Sequence, residues 1–118
     1  MVLVDSSVWI AHLKRPDKPL IDLLEDGEVA THPFVIGELA CGSLRRREEF
    51  LHLLAYLPKL EECRPDEVLS LIEKSRLWRQ GIGWVDTHLV AAALINEVTL
   101  YTFDKKLLRI CAKFGIAH

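Results

Sequence analysis

Four carboxylates, Asp5, Glu38, Asp86 and Asp104, stand at positions where chemistry is a reason for an acid to be present. Asp5 ends the apolar run Met1 to Val4, and Asp104 lies two residues after Thr102, at the close of a second strand-like run. Glu38 interrupts the apolar pattern of a segment that Pro33 begins, and Asp86 opens the most apolar stretch of the chain. Singly, each has an ordinary explanation. Asp5 suits a helix cap or a phosphoacceptor, Glu38 an exposed surface position, and Asp86 a partner for a helix dipole. Asp104 suits an N-cap. Together they would form a like-charge cluster, which raises its members' pKa values unless a hard cation neutralises it. Oxygen donors alone select Mg²⁺ or Mn²⁺. Such an ion can activate a water and stabilise the leaving oxygen in phosphodiester hydrolysis.

The elements that must position these acids can be read from periodicity. Met1 to Val4 predicts a buried strand, and Trp9, Ile10 and Leu13 recur at helical spacing behind Ser6-Ser7. Leu20, Leu23 and Leu24 mark a second short helix closed near Gly27, and Glu28 to Thr31 reads as a short strand. Pro33 suits the first turn of a helix running to about Leu44. Phe50, Leu53, Leu54 and Leu57 fall on one helical face that Pro58 ends, and Lys59 to Cys63 reads as a brief edge strand. Pro65 starts a helix with Val68, Leu71, Ile72 and Trp78 on its buried side. After the Gly81-Ile82-Gly83 turn, Trp84 to Ile95 reads as a centrally buried helix. Val98 to Thr102 reads as a strand. Asp104 then opens a helix with Leu107, Leu108, Cys111 and Phe114 inward, and Ile116 to His118 reads as a last edge strand. Strands alternating with helices give an α/β fold with a mainly parallel sheet flanked by helices, over a single domain of residues 1–118. Such sheets place ligands beyond the carboxyl ends of their strands, so Asp5 and Asp104 are expected at one edge.

Composition narrows the classes. The chain has 118 residues, half of them apolar, enough for one core without covalent staples. With 15 Lys and Arg against 17 Asp and Glu, the net charge of −2 does not mark a general polyanion binder. Contact with nucleic acid would need local basic patches or bound cations. The three cysteines, Cys41, Cys63 and Cys111, form no C-x-x-C pair and are expected as buried, reduced thiols of a cytoplasmic protein. The longest apolar run, Leu89 to Ile95, is too short to span a bilayer, so no membrane partner is expected.

Four stretches carry a resemblance. They are Val2-Leu3-Val4-Asp5-Ser6-Ser7-Val8-Trp9-Ile10, Gly37-Glu38-Leu39, Asp86-Thr87-His88-Leu89-Val90-Ala91-Ala92-Ala93, and Tyr101-Thr102-Phe103-Asp104-Lys105-Lys106-Leu107. In order and spacing the chain resembles the PIN-domain ribonucleases, and among them the VapC-type toxins of toxin–antitoxin pairs. The resemblance spans essentially the whole chain. It implies a PIN-like fold and a Mg²⁺- or Mn²⁺-dependent endoribonuclease leaving 5′-phosphate and 3′-hydroxyl ends. Asp5 and Asp86 would be the principal metal ligands. Glu38 would complete the site or orient the attacking water, and Asp104 would bind metal directly or through water. Ser6 and Thr102 match supporting polar positions. The implied partners are an RNA substrate, a cognate antitoxin and a second copy of the chain. Val90 and Leu107 depart from the family pattern in packing positions, and neither replaces an acid.

Other residues admit duller readings. None of the five histidines forms an H-x-x-x-H pattern, and His88, two residues after Asp86, falls on the other side of its helix. Arg45 to Arg47 reads as a solvated helix end, whereas Lys105, Lys106 and Arg109, close to Asp104, are candidates for contact with RNA phosphates. Trp9, Trp78 and Trp84 suit core or interface before base stacking, with Trp84 nearest to Asp86. An aspartyl-phosphate phosphatase or receiver-like protein is the competing enzyme class. Ser7 stands where that phosphatase needs a second acid, and the first strand carries no acidic pair. A non-catalytic interaction module of the same fold is the remaining alternative, against which the presence of all four acids speaks.

Overall fold

The computed structural model describes residues 1–118. Its centre is β1 (Val2–Val4), whose three aliphatic side chains are all buried. A strand buried on both faces must be covered on both, and β1 takes the middle of a three-stranded parallel sheet. It pairs with β2 (Val29–Ala30) through Val2 and Leu3, and with β3 (Thr99–Tyr101) from Val2 to Val4. All three strands end on the same side.

Seven helices surround the sheet: α1 (Ser6–Lys14), α2 (Lys18–Glu25), α3 (Pro33–Ala40), α4 (Arg47–Tyr56), α5 (Pro65–Ser75), α6 (Trp84–Ile95) and α7 (Lys105–Phe114). A single 3₁₀ turn, Leu77–Arg79, joins α5 to the loop before α6. The caps follow the sequence. Pro33 sits at N1 of α3, and His32 Nδ1 accepts from the Phe34 N–H at 2.9 Å. Asp17 Oδ2 accepts from Leu20 N–H at the start of α2. The Glu67 side chain reaches back to the Arg64 N–H at the start of α5. Gly115 adopts the left-handed conformation (φ 71°) that ends α7.

α6 runs through the middle of the molecule with Thr87 to Ala93 all buried, packing on α5 and β3. The principal core joins Leu3, Val4, Leu89, Val90, Leu100 and Ile110. No helix is long and apolar enough to cross a membrane.

Several sequence expectations change in detail. Lys59 to Cys63 and Ile116 to His118 contribute only single bridges, Thr31 to Lys59 and Leu100 to Ala117, so neither edge strand forms. α3 stops at Ala40, where the chain turns at Cys41 and Gly42 before α4 begins at Arg47. Trp78 is not on the buried side of α5: the helix ends at Ser75, Arg76 turns left-handed (φ 53°), and the indole is 57% exposed. Leu53 on α4 and Leu108 on α7 also face outward, and Ile110 takes the inward place expected of Leu108. Cys63 and Cys111 are buried free thiols, but Cys41 is exposed, because the early end of α3 leaves it outside the packed stripe.

Candidate active site

The carboxyl edge of the sheet collects side chains from four parts of the chain. Asp5 follows β1 directly and is almost fully buried. It occupies the N-cap position of α1, yet its carboxylate makes no capping hydrogen bond. Its backbone N–H is held by Tyr101 O at 2.9 Å, which fixes the turn out of β1 against β3. Asp5 Oδ2 accepts from two hydroxyls, Ser7 Oγ and Thr102 Oγ1, each at 2.7 Å. No hydrogen-bond donor engages its Oδ1, so one oxygen of a positioned, buried carboxylate remains available.

Ser7 and Thr102 extend this network. Their hydroxyls are 3.3 Å apart, and Ser7 Oγ also accepts from the Phe103 N–H at 3.1 Å. Thr102 Oγ1 accepts from the Asp104 N–H at 3.0 Å. Asp104 in turn caps α7, its Oδ1 accepting from the Leu107 N–H at 2.9 Å. The capping explanation thus holds for one oxygen of Asp104 and fails for Asp5.

Asp86 is in the first turn of α6, and Glu38 is in the second turn of α3. Burial pushes the Asp86 carboxyl up to about 6, and the charges of Asp5, Glu38 and Asp104 push in the same direction. Glu38 is likewise raised, by burial first and then by Asp5, with a weak 3.3 Å hydrogen bond from Ser6 Oγ opposing the shift. The four acids therefore share one electrostatic environment. No three of them close into a ready-made cage for a metal ion. The donor set nevertheless suits Mg²⁺, which takes one or two carboxylates and keeps its remaining positions for water and phosphate oxygens. Behind the acids, Cys111 is buried and its thiol is raised to about 11, by burial first and then by Asp5 and Asp86.

Around this edge, Lys105, Lys106 and Arg109 are exposed on α7, and none pairs with a carboxylate. Ser6 contacts only Glu38, while Ser7, which sequence reasoning passed over, makes the contacts to Asp5 and Thr102. A hydroxyl two residues after an N-cap acid was the available signal. His88 is buried between Phe34 and Trp84, with ring centroids 4.7 and 4.5 Å away, on a different side of α6 from the acids.

A model of the PIN domain family matches residues 2–113. The chain belongs to the PIN domain family. This PIN chain is 47% identical over 118 residues to Ribonuclease VapC32 of Mycobacterium tuberculosis, covering 99% of this chain and 95% of that protein. Among solved structures, VapBC-1 from nontypeable Haemophilus influenzae superposes with a TM-score of 0.70 over 96% of this chain and 94% of that one, at 20% identity. PAE2754 from Pyrobaculum aerophilum gives a TM-score of 0.66 at 20% identity, over 99% of this chain and 87% of that one. At that identity these two structures speak to the fold.

Proposed function

We propose that this PIN chain is a divalent-metal-dependent endoribonuclease of the VapC type, which cuts RNA by phosphodiester hydrolysis and is restrained by a cognate antitoxin. The observation that carries the reading is the coupling of Asp86 to Asp5, Glu38 and Asp104 at the carboxyl edge of a parallel sheet. Support comes from 47% identity to a ribonuclease along nearly the whole chain.

Asp5 and Asp86 would hold Mg²⁺ or Mn²⁺, with Asp104 and Glu38 completing the shell directly or through water. The ion, when bound, supplies charge to polarise the phosphate and lowers the pKa of a bound water. The chain's own part is positional. Ser7 and Thr102 both donate to Asp5 Oδ2, which fixes the carboxylate and leaves Oδ1 without a protein donor. Glu38 on α3, its carboxyl raised by burial first and then by Asp5, would orient the attacking water. Ser6 supports Glu38. Lys105, Lys106 and Arg109 would neutralise strand phosphates that an acidic site otherwise repels.

The antitoxin reading is supported by a groove of about 410 Å³ between α1, α2 and α4, lined by Trp9, Leu13, Leu24, Phe50, Leu53 and Leu57. Exposed apolar side chains such as Leu53 and Tyr56 suit a protein partner, the antitoxin or a second copy of the chain.

The test is cleavage of a single-stranded RNA by wild type, Asp5→Asn and Asp86→Asn, with and without EDTA. Both variants should lose cleavage by at least 10³-fold while remaining folded, and EDTA should stop the wild type until Mg²⁺ or Mn²⁺ is restored. Cleavage at wild-type rates by either variant would overturn the site assignment, and activity that survives chelation would overturn metal dependence.

A further inference from the structure

A second feature lies at the N-terminal end of α6. Ile72, Leu77, Trp78, Ile82, Trp84 and Thr87 line a cleft of about 260 Å³ between the end of α5, the 3₁₀ turn and the first turn of α6. Two indoles border it, Trp78 57% and Trp84 43% exposed. Trp84 is anchored by an edge-on contact with the buried His88, while Trp78 stands on a turn whose inward residue is Leu77. Trp84 and Thr87 share the first turn of α6 with Asp86, but the Trp84 indole packs on His88, on the side of the helix away from the acids, and the cleft's link to the acidic edge is the Gly81 turn, which Lys106, two residues after Asp104, overlies.

The cleft is too small for a drug-sized ligand and has room for one flat aromatic group. Its surroundings are cationic. Arg76 and Arg79 flank Leu77-Trp78, and neither pairs with a carboxylate. Lys106 from α7 lies over the Gly81 turn, its Nζ 3.2 Å from where a Cβ on Gly81 would sit. Lys113 reaches Gln80 Oε1 at 3.2 Å. An apolar slot walled by indoles and edged by unpaired cations, on a chain whose net charge is −2, matches a group with a flat face and an anionic backbone. That combination describes an unpaired nucleotide.

We propose that the cleft between Trp78 and Trp84 is a stacking subsite for one unpaired nucleobase of the RNA strand, across the N-terminus of α6 from Asp86. The inference rests on the ribonuclease reading above and extends it to how the strand is gripped. The base lies against the indoles, and its phosphates pass Arg79 and Lys106 towards the acids. Stacking of this kind tolerates every base, so the subsite selects single strands over duplexes ahead of any sequence preference.

The experiment uses two non-cleavable strands, a mixed-sequence 2′-O-methyl RNA octamer and the same octamer made abasic at every position. Binding to the full chain is followed by tryptophan fluorescence and anisotropy for wild type, Trp78→Ala, Trp84→Ala and Trp78→Phe. The octamer should quench wild-type fluorescence. Each alanine variant should weaken octamer binding about tenfold and leave the weaker abasic binding within twofold, and Trp78→Phe should recover most of the loss. Circular dichroism checks that each variant is folded; were Trp84→Ala to unfold, the more exposed Trp78 pair still decides. Equal octamer binding by wild type and Trp78→Ala would overturn the subsite. Equal weakening towards both strands would overturn it too, since stacking would not be the lost contact. Loss of chain self-association in Trp78→Ala with unchanged octamer binding would assign the indoles to a protein interface instead. Cleavage by the wild type together with unchanged Trp78→Ala binding sinks the subsite alone, whereas a wild type that neither binds nor cuts RNA sinks the ribonuclease reading with it.

Discussion

Thr102 Oγ1 donates a 2.7 Å hydrogen bond to Asp5 Oδ2 and accepts a 3.0 Å bond from the Asp104 N–H, so one hydroxyl ties together two acids 99 residues apart. It sits one residue beyond β3 and is almost fully buried. Thr102→Val keeps the branched shape but removes both bonds and leaves the Asp104 N–H without its partner. Loss of such a supporting group costs about 10- to 100-fold in metal affinity or activity. The expected outcome is a fall of at least tenfold in RNA cleavage, with a rise in the Mg²⁺ concentration needed for half-maximal rate. An unchanged Mg²⁺ dependence would mean that Thr102 acts on stability alone.

The two serines after Asp5 should separate. Ser7 bonds Asp5 Oδ2 at 2.7 Å and accepts from Phe103 N–H, while Ser6 meets the exposed Glu38 at 3.3 Å. Ser7→Ala should reduce both cleavage and stability, the latter by about 1 kcal/mol. Ser6→Ala should be nearly silent in stability and alter cleavage less. Denaturant titration and a cleavage assay on both variants decide the order, and a larger defect for Ser6→Ala would contradict the network.

Asp86 sets a pH dependence. Its carboxyl is raised from 3.8 to about 6, chiefly by burial. The folded protein therefore holds this proton more tightly than the unfolded chain, and protonation favours folding. In metal-free buffer the contribution of this group to stability falls as pH rises from about 4 to about 6, and the loss is complete above that. Asp86→Asn should raise stability at pH 7.5 in EDTA by roughly 1–2 kcal/mol after solvent screening, and by little at pH 4. Melting curves at the two pH values test this; equal effects at both would separate Asp86 from the charge cluster.

The gathering of Asp86 with Asp5, Glu38 and Asp104 also predicts a thermal response to metal. Mg²⁺ or Mn²⁺ binds ionised carboxylates, so at pH 7.5 saturating ion should raise the melting temperature of the wild type. The shift should shrink near pH 5 and disappear in Asp86→Asn. A shift of equal size in the variant would place the ion elsewhere.

Thiol reactivity should follow burial. Cys111 is fully buried with its thiol raised to about 11, Cys63 is buried and also raised, by burial first and then by Glu67 and Glu61, and Cys41 is exposed. A thiol reagent at pH 8 should modify one cysteine rapidly in the native protein and all three after denaturation. Rapid native modification of Cys111 would mean that the floor beneath the acids opens.

What the sequence determined by itself is local and periodic. The run Val2-Leu3-Val4 specifies a strand buried on both faces, and a chain that alternates such strands with apolar-striped helices specifies a parallel sheet with its strand ends on one side. Asp5 and Asp104 are therefore legible as neighbours in the sequence, because strand direction alone carries both to one edge. Pro33, Pro65 and Gly115 marked helix ends through fixed φ or tolerance of a positive one. Tertiary structure decided what depends on facing and distance. Only packing shows that Ser7, and not Ser6, turns towards Asp5, since adjacent residues on a helix point about 100° apart and nothing local selects between them. Only packing expels Trp78, because the helix pattern that includes it breaks at Arg76, where a left-handed residue redirects the chain. The bridges at Lys59 and Ala117 stay single for a similar reason: strand propensity has no effect without a partner edge long enough to pair with.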